Sequence, residues 1–254
     1  MRLAVTALGD PGLPPLVILH GLLGSARNWG GIARALAERH RVLAFDLPNH
    51  GASPWTERMD YPFQARLVGD EIAALGRPVA LLGHSMGGKV AMTLALSRPE
   101  LVERLVAVDI APVRYAHSFA PYLRAMRGLK LADLTGRAQA DAALAAAVPD
   151  PAVRALLLHN LERSETGWRW RPNLAVLLAE MEEILDFPAD LPQPVFAGPA
   201  LFVTGRQSDY VDPAGWAAIG ARFPAARRVE LAAGHWVHAE VPAAFIEALA
   251  GFLG

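Results

Sequence analysis

The sequence predicts an α/β protein: a mostly parallel, doubly wound sheet with an inserted helical cap. Three observations predict it. Short apolar runs alternate with amphipathic helical stretches, as βαβ units require. The runs are hydrophobic along their whole length, which suits strands buried on both faces of a parallel sheet. Between about Pro112 and Gly198 the alternation stops and the chain reads as helices alone.

Taken in order, "LVILH" (16–20) follows the breaker-rich "GDPGLPP" and reads as the first buried strand. A helical stretch from about Trp29 to Arg39 leads into "RVLAFD" (41–46), and "FQARLVGDEIAAL" (63–75) leads into "VALLGH" (79–84). The helix "GKVAMTLALS" precedes the strand "RLVAVDIA" (104–111). Later come "ALFVTG" (200–205) and "RRVELAA" (227–233), both read as strands of the same sheet. The intervening segment contains "ADLTGRAQADAALAAAV", "PAVRALLLHNLE" and "NLAVLLAEMEEIL", Ala- and Leu-rich, without a convincing strand. Residues 1–111 and 199–254 therefore form the expected core, and 112–198 a helical cap over the carboxyl edge of its sheet.

Composition narrows the function classes. The 254 residues are 53% hydrophobic and 19% charged with a net charge of -1, which suits a packed domain. No basic run or nucleic-acid motif is present, so nucleic acid is not an expected partner. Cysteine is absent, which excludes thiolate metal sites and a Cys nucleophile and fits a reducing compartment. "MRLAVTALGDPG" lacks the apolar core of a secretory leader, and no uncharged apolar run approaches the ~18 residues of a membrane span. The expectation is a cytoplasmic monomer or small homo-oligomer, without stable membrane insertion, cofactor or metal.

"VALLGHSMGGKVAM" carries the chemistry. An apolar strand enters Gly83-His84-Ser85-Met86-Gly87 and passes directly into a helix, the context in which G-x-S-x-G means a nucleophile elbow. Such a turn strains Ser85 and demands residues without side chains two positions either side. Its hydroxyl then lies over a helix N-terminus, which favours developing negative charge. His84, the second residue of the elbow, is expected to point away from the chemistry, and Lys89 to be structural or solvated. An acyl-transfer intermediate also needs two backbone donors for its oxyanion. Met86, after the nucleophile, supplies one. The loop "GLLGS" after the first buried strand supplies the other, from Leu22 rather than Leu23, with His20 as a brace of that turn.

"HGLLGS", "FDLPNHGAS", "GHSMGG" and "GHWVHAE", in this order, resemble the α/β-hydrolase fold serine hydrolases. More narrowly, "GSARNW", "NHGAS", "GHSMGGKVAM", "VDIAPV" and "GHWVHAE" resemble the small YbfF-type bacterial esterases. The likeness spans nearly the whole chain and is loose only over the cap. One departure is Pro48, where many relatives carry Arg, which leaves that turn without its usual brace.

Of eight histidines, His235 follows the last strand and fits the Ser, acid, His order of this fold. His238 reads as a supporting residue. A metal-binding His235/His238 pair lacks a third ligand in any zinc pattern. The acid has two candidates. In "LFVTGRQSDYVD" the usual acid position is occupied by Ser208, with Asp209 one residue late. Asp109 ends the strand beside that of the serine, within ~4.8 Å strand spacing, and a carboxylate inside an apolar strand is costly unless paired. The resemblance to the esterases, which likewise carry serine at the position of Ser208, implies the earlier strand as the source and Ser208 as an auxiliary hydrogen-bonding member.

Leu22, Leu23, Met86 and Trp236 are the expected apolar residues around an acyl substrate, and Arg171 a candidate for meeting an anionic group. The activity expected is that of a serine carboxylesterase acting on short- to medium-chain acyl esters or thioesters through an acyl-enzyme. The alternatives are a carbon-carbon bond hydrolase or cofactor-free perhydrolase on the same fold, or a non-catalytic ligand-binding member. An intact Ser, His and oxyanion loop speaks against the last. Serine rather than aspartate at the elbow speaks against epoxide hydrolase and dehalogenase chemistry.

Overall fold

The computed structural model describes residues 1–165, 167–192 and 195–254. Residues 166, 193 and 194, all in the segment expected to form the cap, lie outside the described residues. The strands in chain order are β1 (Val5–Leu8), β2 (Pro15–Leu19), β3 (Arg41–Phe45), β4 (Val79–His84), β5 (Val102–Val108), β6 (Leu161–Ser164), β7 (Gly167–Trp170), β8 (Ala200–Gly205) and β9 (Ala226–Leu231). Seven of them form the main sheet in the order β1-β3-β2-β4-β5-β8-β9. Every neighbouring pair is parallel except β1 with β3. The helices are α1 (Gly30–Leu36), α2 (Tyr61–Ala73), α3 (Met86–Ser97), α4 (Ala120–Gly128), α5 (Arg137–Leu144), α6 (Pro151–Leu158), α7 (Leu174–Ala179), α8 (Met181–Leu185), α9 (Pro213–Arg222), α10 (Val237–Glu240) and α11 (Pro242–Leu253).

The apolar strand runs are explained by helices on both faces. Successive side chains of a strand point to opposite sides, and β2 shows it. Val17 and Leu19 pack with Leu81, Val90 and Leu94 on one side; Leu16 and Ile18 pack with Trp29, Ile32 and Phe245 on the other. Each buried Leu or Ile contributes about 1.5–3 kcal/mol of transfer free energy, so a polar residue at any of these positions would be costly. The helix α3 is buried along its length from Met86 to Leu96, which takes even Lys89 out of water. At the sheet margins the pattern weakens. Arg227, Arg228 and Glu230 of β9 are exposed, so this strand is a half-covered edge rather than a doubly buried one. β1, at the other edge, is four residues long and largely exposed, and no apolar run announced it.

Between β5 and β8 the chain forms α4 to α8, and it also holds a two-stranded antiparallel sheet, β6 with β7. That hairpin corrects the all-helical reading of this segment. Charged and aromatic residues face one another across it, with Arg169 opposite Glu162 and Trp168 opposite Arg163, whose guanidinium lies 4.6 Å from the indole. So short a charged strand lacks the apolar signal of the core strands. The helical run "NLAVLLAEMEEIL" is broken at Glu180, which separates α7 from α8.

Polar contacts join this segment to the sheet. The Tyr61 hydroxyl donates to the Ile184 carbonyl (2.6 Å), and the Lys89 ammonium to those of Leu185 (2.8 Å) and Asp186 (2.7 Å). Three consecutive carbonyls at the end of α8 are thus satisfied from the core. Asn160 Nδ2 donates to the Leu23 carbonyl (2.8 Å), and Asn173 Nδ2 to Asn49 Oδ1 (3.1 Å). No helix among the described residues is long and apolar enough to cross a membrane.

Candidate active site

The sharp passage from β4 to α3 places Ser85 at φ 50°, ψ −118°, a region costing of order 1–3 kcal/mol for a residue with a side chain. Its flanking glycines are obligatory. A Cβ on Gly83 would stand 2.1 Å from the Gly87 carbonyl oxygen, and one on Gly87 2.4 Å from that of His20. The Ser85 amide donates to the Val108 carbonyl at 3.0 Å, tying the turn to β5. Among the described residues the non-glycine positions with positive φ are Leu23, Asn49, Ser85 and Asp109. Two of them, Ser85 and Asp109, belong to this site.

Parallel register then brings Asp109 beside Ser85. His84 pairs with Val108 at the carboxyl ends of β4 and β5, so the next residue of each strand emerges at the same edge. Asp109 is 1% exposed, and its carboxylate is filled with donors. Oδ1 accepts the Gly205 amide at 2.9 Å; Oδ2 accepts the Ser208 hydroxyl and, at 2.8 Å, His235 Nδ1. An ionised carboxylate only accepts, so Nδ1 carries the proton and Nε2 is left to accept the Ser85 hydroxyl, 3.0 Å away. Asp209 is exposed on the adjoining loop and does not reach the imidazole. The ring of Tyr210 stacks on that of His235, with centroids 3.7 Å apart and planes 15° from parallel.

The loop bearing His235 is held by two side chains. Glu240, on α10, accepts the amides of Gly234 (2.7 Å) and Trp236 (3.2 Å), and His84 Nε2 donates to the His235 carbonyl (2.9 Å). His84 therefore does not point away from the site: its ring centroid lies 4.7 Å from that of His235. His238 stacks on Trp29 at 4.2 Å and packs edge-on against His84. Burial lowers its pKa to about 4. These supporting roles of His84 and Glu240 were not deduced from sequence, although both residues stand inside quoted motifs.

The loop after β2 is fixed by two neutral histidines. His20 Nε2 accepts the Leu47 amide at 2.9 Å while Nδ1 donates to the Gly21 carbonyl at 2.8 Å. His50 Nε2 accepts the Leu23 amide at 3.1 Å while Nδ1 donates to the Pro48 carbonyl at 2.9 Å. Both rings must be unprotonated at Nε2, and burial accordingly drives their pKa values down to about 4 and about 3. Asp46 holds the turn around Pro48 by accepting the amides of Ala26 (2.7 Å) and Ala52 (2.8 Å). The Leu23 amide is consumed by His50. Leu22 and Met86 have no such internal partner among the described residues, and Met86 is the first residue of α3, where amides lack intrahelical acceptors.

Two cavities meet at Ser85. The larger, about 390 Å³, runs from His235, Trp236 and Leu22 to Ala155, Leu156 and Phe119. The smaller, about 40 Å³, lies between Met86, Lys89, Ile110 and Tyr115. Trp236 and Leu22 line the larger cavity, whereas two other residues named from the sequence line neither. Leu23 is a core side chain, 2% exposed and packed away from both cavities. Arg171 points at Glu162, with Nη2 2.6 Å from its carboxylate, and that pairing rather than a ligand holds it. Lys89 is buried rather than solvated, and its pKa falls to about 7 because burial outweighs the favourable field of Asp186. No group of three His, Asp or Glu side chains among the described residues is placed to hold a metal ion.

A hydroxyl, an imidazole and a carboxylate aligned in this way can move a proton off Ser85 as its oxygen adds to an electrophilic carbon. Comparisons agree with the architecture. The family model described as alpha/beta hydrolase fold matches residues 14–242. An sn-1-specific diacylglycerol lipase ABHD11 of Xenopus laevis is 41% identical over 251 residues, 94% of this chain and 80% of that protein. Esterase YbfF of Escherichia coli strain K12 is 36% identical over 253 residues, covering 98% of this chain and 97% of its own. A solved structure described as a marine microorganism esterase superposes with a TM-score of 0.95 at 32% identity, covering 99% of both chains.

Proposed function

The chain belongs to the alpha/beta hydrolase fold family, and on that footing we propose that it is a serine carboxylesterase acting on acyl esters or thioesters through an acyl-enzyme. The observation that carries this reading is the unbroken relay Ser85–His235–Asp109, with separations of 3.0 and 2.8 Å. The esterase and lipase relatives support the same reaction class. Ser85 Oγ attacks the acyl carbon and its proton passes to His235 Nε2. The tetrahedral intermediate carries its negative charge on the former carbonyl oxygen, facing the amides of Leu22 and Met86. The bond to the leaving oxygen or sulfur then breaks as His235 returns the proton to it. Water adds to the acyl carbon, gives a proton to His235, and the acid departs as Ser85 recovers its hydrogen. Asp109 stabilises the imidazolium in both halves, and Ser208 holds the carboxylate in place. In this reading residues 112–198 act as a cap over the core of residues 1–111 and 199–254.

Mass spectrometry after brief exposure to a p-nitrophenyl ester tests the mechanism. One acyl group is expected on Ser85 and none on the Ser85→Ala protein. Hydrolysis that persists in Ser85→Ala would overturn it.

A further inference from the structure

The unequal cavities on either side of Ser85 assign the two halves of the substrate. Proton return in the esterase reading comes from His235 Nε2, so the leaving oxygen and its substituent must lie on the histidine side of Ser85. His235 and Trp236 border the cavity of about 390 Å³ and not the one of about 40 Å³. The small cavity is instead bordered by Met86, whose amide faces the former carbonyl oxygen, so it takes the acyl chain. About 10–15 Å³ of such space holds one water, so the small cavity has room for only a few heavy atoms, while the large one falls in the range of about 300–1,000 Å³ typical of ligand sites.

The charge in the small cavity is already spent. Lys89 gives hydrogen bonds to the carbonyls of Leu185 and Asp186 and directs its ammonium at the Tyr115 ring, 4.7 Å from the centroid. The Lys89 ammonium is thus committed to main-chain carbonyls rather than to a carboxylate at the end of an acyl chain. A further hollow of about 210 Å³ shares Phe119 and Trp236 with the large cavity, and Phe119 and His117 with the small one.

We infer that this enzyme prefers esters of a short, uncharged acyl group, of acetyl size, with a large apolar alcohol. The inference rests on the serine esterase reading and sharpens it. Hexyl acetate and methyl heptanoate are constitutional isomers that exchange the long and short halves, which makes them the direct probe. With p-nitrophenyl acetate as a reference, kcat/KM is expected to favour hexyl acetate by at least about a hundredfold, since a single misplaced methylene is already worth about 10–200-fold in an apolar site. Equal rates, or a preference for methyl heptanoate, would overturn the assignment while leaving ester hydrolysis intact. Failure to hydrolyse any of the three would overturn the esterase reading itself. Two substitutions localise the effect. Met181→Ala, beside the small cavity, should raise the ratio of butyrate to acetate ester turnover, and Ala155→Trp should lower that of hexyl to ethyl acetate. If both proteins fold, as judged by circular dichroism, and neither ratio moves, the assignment fails.

Discussion

At the sheet edge, the Asp109 carboxylate takes three donors, the His235 loop is held at successive residues by Glu240 and His84, and the Leu22–Leu23 turn is pinned by two neutral histidines. Across the large cavity, the wall formed by Ala152, Ala155 and Leu156 offers only apolar surface on a short helix. The segment carrying that wall meets the core through a few side-chain bonds, chiefly from Tyr61, Lys89, Asn160 and Asn173. One region fixes atoms to within a hydrogen-bond length; the other defines a volume. Substitutions at the edge should therefore act on turnover, and substitutions across the cavity on substrate preference and stability.

The sharpest break of that contrast is Ser85→Ala, for which a loss of about 10⁶ in kcat is expected by analogy with other serine hydrolases, with unchanged folding by circular dichroism. A smaller effect is expected for His50→Phe. It leaves the buried Leu23 amide without an acceptor, destabilising by about 1–3 kcal/mol. Because it loosens the neighbouring Leu22 amide, kcat should fall by up to about 10²-fold. Chemical denaturation and kinetics on the same preparation measure both, and a protein as stable and active as wild type would remove His50 from the account.

Stability should also fall with pH below about 6.5. Burial depresses His20, His50 and His238 to about 4, 3 and 4, and His84 is lowered by burial and by its histidine neighbours. A depressed folded-state pKa means that the unfolded chain binds the protons first, so the stability these rings contribute is present above the ordinary value and lost as pH falls through the folded ones. Denaturation midpoints from pH 7 to pH 4 check this; a flat profile would contradict it. The same reasoning applies to Lys89, lowered to about 7 by burial, with Asp186 opposing the shift and Arg114 adding to it. Its contribution should rise with pH from about 7 toward the ordinary lysine range. Lys89→Met should flatten that rise in melting temperature, and parallel profiles would remove Lys89 as its source. The smallest effect is expected for Glu240→Gln: about 1 kcal/mol from weakened bonds to the Gly234 and Trp236 amides, with a matching loss in kcat.

Reading the sequence worked best where one physical constraint dominates. Ser85 sits in a turn that only glycine neighbours permit, and the buried strands are hydrophobic because both faces are covered. Asp109 was legible as a carboxylate at the end of an apolar strand, but choosing it over Asp209 on the residues alone needed the register of β4 with β5, a long-range property. The hairpin β6–β7 was missed because its strands are short and charged. Arg171 and Leu23 illustrate a further limit. Residue type suggested contact with ligand, whereas a cross-strand Glu162 and the core packing around the loop decided where these side chains went. His84 and Glu240 act on the backbone of a distant loop, a role that no spacing along the chain reveals.

In the proposed mechanism the acid comes from the end of β5 rather than from the loop after β8. Steady-state hydrolysis of a p-nitrophenyl ester by Asp109→Asn and Asp209→Asn tests it directly. A loss of about 10⁴ in kcat is expected for Asp109→Asn, the size seen when an orienting Asp is amidated, and wild-type turnover for Asp209→Asn. The reverse pattern, or an Asp109→Asn enzyme of undiminished rate, would contradict it.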